Sequence, residues 1–126
     1  MVDEIRLFFD GGCRPNPGPI EIAVVMRGET YLRRDVGSGD NNLAEWQALL
    51  LAAEVAKAAG VARPLFIGDS AMVIHQARGE WPCRSPQTRA MLDAFRAATR
   101  GFAGVRLRRV PRSRNLAGIA LARLHR

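Results

Sequence analysis

Aromatic residues and cysteine are scarce in this chain of 126 residues, which has five Phe, two Trp, one Tyr and two Cys. Cys13 and Cys83 lie far apart and match no metal-ligand spacing, so we expect two reduced thiols rather than a disulfide framework or a zinc site. Long apolar runs are missing too. The richest apolar stretch, residues 49–62, is interrupted by Glu54 and Lys57 and is too polar to span a bilayer.

A positively charged leader is also missing, because Asp3 and Glu4 occupy the place where a secretory signal carries positive charge. We therefore expect a cytoplasmic protein with no membrane partner. The length suits a single domain over residues 1–126, with a core that needs no disulfide or metal, and we expect a monomer.

Acidic residues are absent after Asp93, whereas arginines are frequent there. The whole chain has 19 Lys and Arg against 12 Asp and Glu, a formal net charge of +7, which favours a polyanionic partner such as nucleic acid. A solvated arginine-rich face without a ligand is the alternative. The arginines concerned are Arg96, Arg100, Arg106, Arg108, Arg109, Arg112, Arg114, Arg123 and Arg126.

Apolar alternation and turn signals divide the chain into five strands and four helices. Three strands joined by short connections predict an antiparallel meander, and the later strand–helix–strand order predicts parallel strands. The predicted fold class is α/β, a mixed five-stranded sheet of three antiparallel strands and then two parallel ones, flanked by helices. The predicted strands are 4–9, 20–27, 30–37, 63–69 and 105–110; the helices are 43–60, 70–79, 86–100 and 115–125; a Gly/Pro loop covers 10–19 and a turn lies at Gly28-Glu29.

Two of the predicted strands end on a carboxylate, at Asp10 and at Asp69. Desolvating an ionised Asp is costly without a partner, so Asp10 is either a turn former before Gly11 or a ligand for a positive group. If the two strands are neighbours, their carboxyl ends bring both acids to one edge of the sheet. Glu45, near the start of the first helix, adds a third acid.

Four segments follow one another at regular intervals and read FFDGGCRPNPGP, DNNLAEWQALLLAAEVA, LFIGDSAMVIHQ and VRLRRVPRSRNLAGIALAR. Together they resemble the motifs of the type 1 ribonuclease H family. Each motif alone is weakly specific, but the four occur in the family's order and cover essentially the whole chain. The short 77–90 region is similar to the compact branch of the family, which lacks an extra basic helix.

The resemblance implies a ribonuclease H-like fold and hydrolysis of the RNA strand within RNA–DNA hybrids. It also implies two Mg²⁺ ions, for which Mn²⁺ substitutes, with Asp10, Glu45 and Asp69 as metal ligands and catalytic residues. The implied partner is an RNA–DNA hybrid, whose RNA strand differs from the DNA strand by its 2′-hydroxyl groups.

The resemblance further implies residues that contact the substrate. For Asn41 a helix N-cap is an equally good interpretation, and for His75 an ordinary surface histidine is the stronger alternative. Trp46 and Trp81 are candidates for stacking on a nucleotide, although core packing is favoured for Trp46. The substrate-binding candidates are Cys13, Arg14, Asn16, Asn41, Asn42, His75, Arg112 and Arg114.

The sequence departs from the family pattern at the fourth carboxylate, which the family places four residues after Asn115. That position is Ile119, and residues 94–126 contain neither Asp nor Glu. One metal ion then lacks a ligand, unless the amide oxygen of Asn115, expected on the same helical face, replaces it. We expect Ile119 either to look toward Asp10 across the metal site or to pack against the sheet.

Three functions from different classes remain open on the sequence alone. The first is an active hybrid nuclease that is weakened by Ile119 or prefers manganese. The second is a hybrid-binding module without catalysis. The third is a phosphate-loop ATPase of the actin and sugar-kinase type, which also opens on a strand, an Asp and a Gly but needs two such domains.

Overall fold

The computed structural model describes residues 3–125. Met1, Val2 and Arg126 lie outside the described residues, and so does the contribution to the basic surface that is predicted for Arg126. The strands are β1 (Glu4–Cys13), β2 (Gly18–Met26), β3 (Glu29–Gly39), β4 (Arg63–Gly68) and β5 (Arg106–Arg109). The helices are α1 (Asn41–Ala58), α2 (Ala71–Ala77), α3 (Pro86–Thr99) and α4 (Leu116–Arg123), and a short 3₁₀ helix covers Arg112–Arg114.

The five strands form one sheet in the order β3-β2-β1-β4-β5. β1 pairs with β2, and β2 with β3, in antiparallel orientation. β1 pairs with β4, and β4 with β5, in parallel orientation. The predicted mixed sheet of three antiparallel and two parallel strands is confirmed, and β1 is the strand at which the two halves meet.

β1 is longer than predicted, which corrects the loop expected over residues 10–19. Its pairing with β2 continues as far as Cys13, so Asp10 lies inside a strand rather than at its end. The glycines that follow are therefore not turn residues. A Cβ atom on Gly11 would lie 2.1 Å from the carbonyl oxygen of Ala44, so the missing side chain lets α1 pack directly against β1.

Other element boundaries move by one to a few residues. Arg27 and Gly28, with φ angles of 53° and 81°, form the turn between β2 and β3, so the turn predicted at Gly28-Glu29 is one residue too late. Asp40 caps α1, which begins at 41 rather than 43. Asn115 has extended backbone angles and caps α4, so the last helix covers 116–123 rather than 115–125.

Side chains of the central strands alternate between the two faces of the sheet. On one face, α1, α2 and α3 cover the larger core, which includes Leu7 and Phe9 of β1. On the other face, α4 packs on a smaller cluster formed with Ala23 and Val25 of β2. Asp10 follows Phe9 directly, so the alternation turns its carboxylate toward α4.

Helix α1 has 18 residues and buries an alanine-rich face against β1 and β2. Trp46 on this face is fully buried, and its Nε1 donates to Oε1 of Gln76 over 3.4 Å. The favoured interpretation of Trp46 as a core residue is confirmed. Across residues 3–125, no helix combines the length and apolarity that a membrane crossing needs.

Candidate active site

Asp69 follows β4 directly and precedes Ser70, whose hydroxyl caps α2. The parallel pairing of β1 with β4 ends at Phe8 opposite Ile67. Asp10 and Asp69 therefore both lie two residues beyond the paired segment, at the same edge of the sheet. The predicted neighbourhood of these two acids is confirmed, because the topology does place β1 beside β4.

Glu45 reaches the same edge from α1, which lies on the opposite face of the sheet from α4. Its Oε1 accepts a hydrogen bond of 3.3 Å from the backbone N–H of Gly11. This contact depends on the close approach of α1 to β1 at that glycine. Helix α1 begins at Asn41, four residues before Glu45, so the start of this helix places Glu45 at the site.

Asp10, Glu45 and Asp69 form the acidic cluster, in which one carboxylate oxygen of each residue lies within 4.8 Å of the others. Asp10 is only 4% exposed and Glu45 only 8%. Within residues 3–125, Oδ1 of Asp10 and Oε2 of Glu45 are buried without a hydrogen-bond partner. Buried charged oxygens without partners are costly, so the acidic cluster is suited to a cation.

The pKa values of the cluster reflect this crowding. Burial raises the pKa of Glu45 well above its ordinary value, and the carboxylates of Asp10 and Asp69 raise it further. Burial also raises the pKa of Asp10, with a further rise from Asp69, while Glu45 and Arg112 act in the opposite direction. The cluster therefore holds its full negative charge only at an energetic cost, which a bound cation would remove.

The acidic cluster opens into a cavity of about 640 Å³. The opposite side of this cavity is the α4 wall, which we define as Gly118, Leu121 and Ala122 of α4 together with His125, two residues beyond the end of the helix. The three helical positions are three and four residues apart, so they lie on one face of α4. The α4 wall contains no carboxylate.

Gly118 of α4 lies against Asp10. A Cβ atom on Gly118 would lie 3.3 Å from Oδ2 of Asp10. Ile119 is the next residue of the helix; it is half-buried and is not among the described residues that line the cavity. Whether its side chain faces Asp10 or packs against the sheet stays a prediction.

Asn115 supports the acidic cluster in a different way from the one predicted. It is fully buried, and its Nδ2 donates to the carbonyl oxygen of Phe9 at 2.9 Å and to Oδ2 of Asp69 at 3.2 Å. Its amide oxygen accepts from the N–H of Ala117 and so caps α4. The prediction of an amide oxygen ligand is contradicted, because that oxygen is used by the cap.

The connection after β1 is tied to the start of α1. Oδ1 of Asn41 accepts from the backbone N–H of Cys13 at 3.0 Å, and the Asn41 N–H donates to Oδ1 of Asn16 at 3.1 Å. Asn41 is thus not the N-cap of α1, a role that Asp40 fills by accepting from the N–H of Leu43. Cys13 is buried, and its thiol donates to the Gly39 carbonyl.

The structure brings some of the predicted substrate-binding residues to the cavity and leaves others outside it. The candidates that line the cavity are Cys13, Arg14, Asn41, Asn42 and Arg112. Of the described residues, Asn16 and Arg114 are exposed and do not line it, and neither does His75.

His75 instead packs on Trp81. The two rings are stacked with centroids 4.3 Å apart, and Nδ1 of His75 pairs with Oε1 of Glu80 at 2.6 Å. Trp81 is 46% exposed and lines a second groove with Asn42 and Met72, both of which also line the cavity. This second groove, which we call the Trp81 groove, is thus continuous with the candidate active site.

Glu21 and His125 are cavity residues that the sequence did not indicate. They are 104 positions apart, and Nε2 of His125 lies 2.7 Å from Oε2 of Glu21. The alternation along β2 would have placed Glu21 on the face of Asp10 had the register been known. No local motif points to His125.

The sheet order, the helix on each face and the acidic cluster at the β1–β4 edge define a ribonuclease H-like α/β protein. Residues 8–125 match the family described as reverse transcriptase-like. With this match and its relatives, the chain belongs to the type 1 ribonuclease H family. The predicted family and fold class are confirmed.

Three relatives illustrate the similarity. Ribonuclease HI of Halobacterium salinarum (strain ATCC 700922 / JCM 11081 / NRC-1) is 32% identical over 123 residues, covering 94% of this chain but only 62% of that protein. The crystal structure of RNase H1 from Halobacterium salinarum NRC-1 matches with a TM-score of 0.88 at 30% identity, covering 94% of both chains. LC11-RNase H1 in complex with an RNA/DNA hybrid matches with a TM-score of 0.82 over 89% of this chain and 88% of that one; at 24% identity this likeness concerns the fold.

Proposed function

We propose that this protein is an endonuclease that hydrolyses the RNA strand of RNA–DNA hybrids with the help of two divalent metal ions. The observation that carries the proposal is the acidic cluster, three carboxylates within 4.8 Å of one another at the β1–β4 edge. The similarity to ribonuclease HI of Halobacterium salinarum supports the reaction and the substrate class.

The residues present fit divalent ions such as Mg²⁺ or Mn²⁺. Both are hard cations that prefer oxygen ligands, and the acidic cluster offers carboxylate oxygens, including the buried and unpartnered Oδ1 of Asp10 and Oε2 of Glu45. When bound, such ions lower the pKa of an attacking water and neutralise the charge of a phosphodiester. Asp10, Glu45 and Asp69 would hold them.

The remaining groups orient the cluster and receive the nucleic acid. Asn115 holds the Asp69 carboxylate through Nδ2, and the Gly11 N–H holds that of Glu45. Arg14 and Arg112 line the cavity with exposed guanidinium groups that are suited to phosphates. The Trp81 groove offers an aromatic face beside the cavity, on which a base or sugar of the hybrid can stack.

A second candidate is a hybrid-binding module without catalysis. The α4 wall favours it, because this side of the cavity supplies no carboxylate to a metal ion. The arginines and the Trp81 groove would be kept in such a protein. Catalysis is the stronger proposal because Asp10 and Glu45 are buried with unpartnered oxygens, an arrangement that a binding surface does not need.

Cleavage assays with the purified protein separate the two candidates. In Mg²⁺ or Mn²⁺ we expect internal cleavage of the RNA strand of a hybrid, with duplex DNA uncut and single-stranded RNA cut far more slowly. Asp10→Asn should lower the rate by about 100-fold or more, because it removes a charge in contact with the reacting centre. Its circular dichroism spectrum should match that of the wild type.

Two outcomes would contradict catalysis by this site. Hybrid binding without cleavage in either metal would favour the binding module. Cleavage at the wild-type rate by Asp10→Asn would mean that the activity comes from elsewhere or from a contaminant. Equal cutting of single-stranded RNA and hybrid would exclude the proposed specificity.

A further inference from the structure

The polar end of the α4 wall is a three-residue network of hydrogen bonds that links the residue after α4 to β2 and β3. Glu21 of β2 accepts from Nε2 of His125 at 2.7 Å. Its other oxygen accepts from Nε and Nη2 of Arg34 of β3, at 3.2 and 3.0 Å. The network joins residues from β2, β3 and the end of α4 and therefore has a defined geometry rather than that of a free surface side chain.

Glu21 is firmly ionised in this network. Burial by itself raises the pKa of Glu21, but the hydrogen bonds and positive charges of His125 and Arg34 outweigh it and hold the pKa below its ordinary value. The side chains of Glu21 and His125 are only 15% and 23% exposed. A fixed carboxylate at Nε2 orients the imidazole and favours an N–H at that nitrogen.

His125 is the one polar residue on the α4 wall, since its other members are Gly118, Leu121 and Ala122. It follows Gly118 by seven residues, in the turn after the end of α4, and Gly118 lies against Asp10. Within residues 3–125, Nδ1 of His125 makes no hydrogen bond. The network thus holds an imidazole at the cavity with one nitrogen still available.

We propose that His125, held by Glu21, is a phosphate-binding residue of the hybrid site: in its protonated form, Nδ1–H donates to a backbone phosphate on the α4 side of the cavity. The charged groups around it are Glu21 and Arg34 of the network, Asp10 across the cavity, and Arg14 and Arg112 on its rim. The other members of the α4 wall, Gly118, Leu121 and Ala122, offer no side-chain donor to a phosphate. His125 supplies one there.

This inference rests on the proposed hybrid substrate, and steady-state kinetics on a hybrid test it. His125→Gln should raise KM roughly 5-fold while kcat stays within about 2-fold, because a charge-assisted contact to bound substrate is lost. His125→Lys supplies a positive charge at the same position and should keep KM close to that of the wild type.

Lys57→Gln is the matched control, since it removes one exposed positive charge from the last turn of α1. Its KM should equal that of the wild type. Glu21→Gln is the second variant: it weakens the hold on His125 and should raise KM in the same direction by a smaller factor. Thermal unfolding of each variant shows that it is folded at the assay temperature.

Several results would overturn the inference. A KM unchanged in both His125→Gln and Glu21→Gln would mean that the network is only structural. A fall in kcat with KM unchanged would assign His125 to proton transfer instead. Fluorescence anisotropy of hybrid binding in EDTA separates this test from the proposed function, because it measures the contact even if the wild type cuts no hybrid; equal affinities of wild type and His125→Gln there would also count against the phosphate contact.

Discussion

A helix packed on the central strand β1 forms each of the two sides of the cavity. The two sides differ in the side chains that the helix contributes. On one side α1 approaches β1 so closely at Gly11 that it delivers Glu45 to the acidic cluster. On the other side α4 approaches at Gly118 and delivers no charge to Asp10. Helix α1 therefore contributes a carboxylate to the cavity, whereas the α4 wall contributes none and ends in an imidazole.

This difference shows that the charge contributed by each side of the site is independent of the helix backbone that forms it. Asn115 ties the start of α4 to β1 and to Asp69, so the helix is held in place although it carries no ligand. The position of α4 is thus set by packing and one buried amide. The chemistry of its wall is set separately, by the few side chains that face the cavity.

The largest expected effect is on the free energy of unfolding. It should differ between substitutions of Gly11 and Gly118, the two glycines at which α1 and α4 approach β1. Gly11→Ala places a methyl group 2.1 Å from the backbone oxygen of Ala44, which cannot move without displacing α1. We expect it to lower the free energy of unfolding by more than about 3 kcal/mol, measured by urea titration. Gly118→Ala meets only the Asp10 side chain at 3.3 Å, and alanine favours the helix, so we expect a change within about 1 kcal/mol.

Equal destabilisation by the two substitutions would contradict this comparison. It would mean that α4 is packed on β1 as tightly as α1 is. The far-ultraviolet circular dichroism of both variants, recorded at the start of each titration, separates a shifted helix from a lost one.

A smaller effect is expected from giving the α4 wall the charge that it lacks. Ile119→Asp introduces a carboxylate in the first turn of α4, at the position where the family pattern has its fourth acid. We expect hybrid cleavage in Mg²⁺ to rise by about 10-fold, which corresponds to about 1.4 kcal/mol of transition-state stabilisation. The measurement is the cleavage rate against Mg²⁺ concentration, with Ile119→Asn as a control of similar size and no charge.

Both variants should be compared with the wild type in thermal unfolding. A lower unfolding temperature for Ile119→Asp without a gain in rate would show that position 119 serves packing alone. An equal gain in Ile119→Asn would show that charge is not the cause.

The smallest expected effect concerns the pH dependence of stability. Burial raises the pKa of Glu45 in the folded chain above the ordinary value of about 4.3, so the folded chain binds this proton more tightly than the unfolded chain does. In EDTA the wild type should therefore lose stability as pH rises from that value through the raised pKa. Glu45→Gln should reduce this loss, with the raised pKa of Asp10 accounting for what is left, and should unfold about 4 °C higher at neutral pH.

Added Mg²⁺ should then raise the unfolding temperature of the wild type at neutral pH and have a smaller effect on Glu45→Gln, because the cation offsets the repulsion within the acidic cluster. Parallel pH profiles of the two proteins in EDTA would contradict the proposed crowding of carboxylates.

The sequence predicted the sheet well and placed the three candidate acids near one another, for identifiable reasons. Crossover rules predicted that the later strands lie parallel to a partner, and the pairing of β1 with β4 is the condition under which Asp10 and Asp69 meet. The prediction of a loop over 10–19 was wrong because a glycine has two possible structural roles at such a position. A glycine after an Asp signals a turn, but Gly11 is extended and serves the close approach of a helix, which only the packing reveals.

The N-cap of α1 and the role of Asn115 were misassigned for a similar reason. Asp40, Asn41 and Asn115 are all residues that cap helices or bind ligands, and the choice among such roles depends on partners far along the chain. Asn41 bonds to Cys13 and Asn16, and Asn115 bonds to Phe9 and Asp69. None of these partners is visible in a local motif.

The sequence by itself determined the element order, the mixed sheet, the family and the three candidate acids, because each follows from local periodicity, turn chemistry or motifs read along the chain. Only the tertiary structure decided that Gly118 lies against Asp10, and that Glu21 and His125 meet at the cavity. The physical reason is that strand register and helix rotation, which are fixed by packing over the whole sheet, decide which side chains share a cavity.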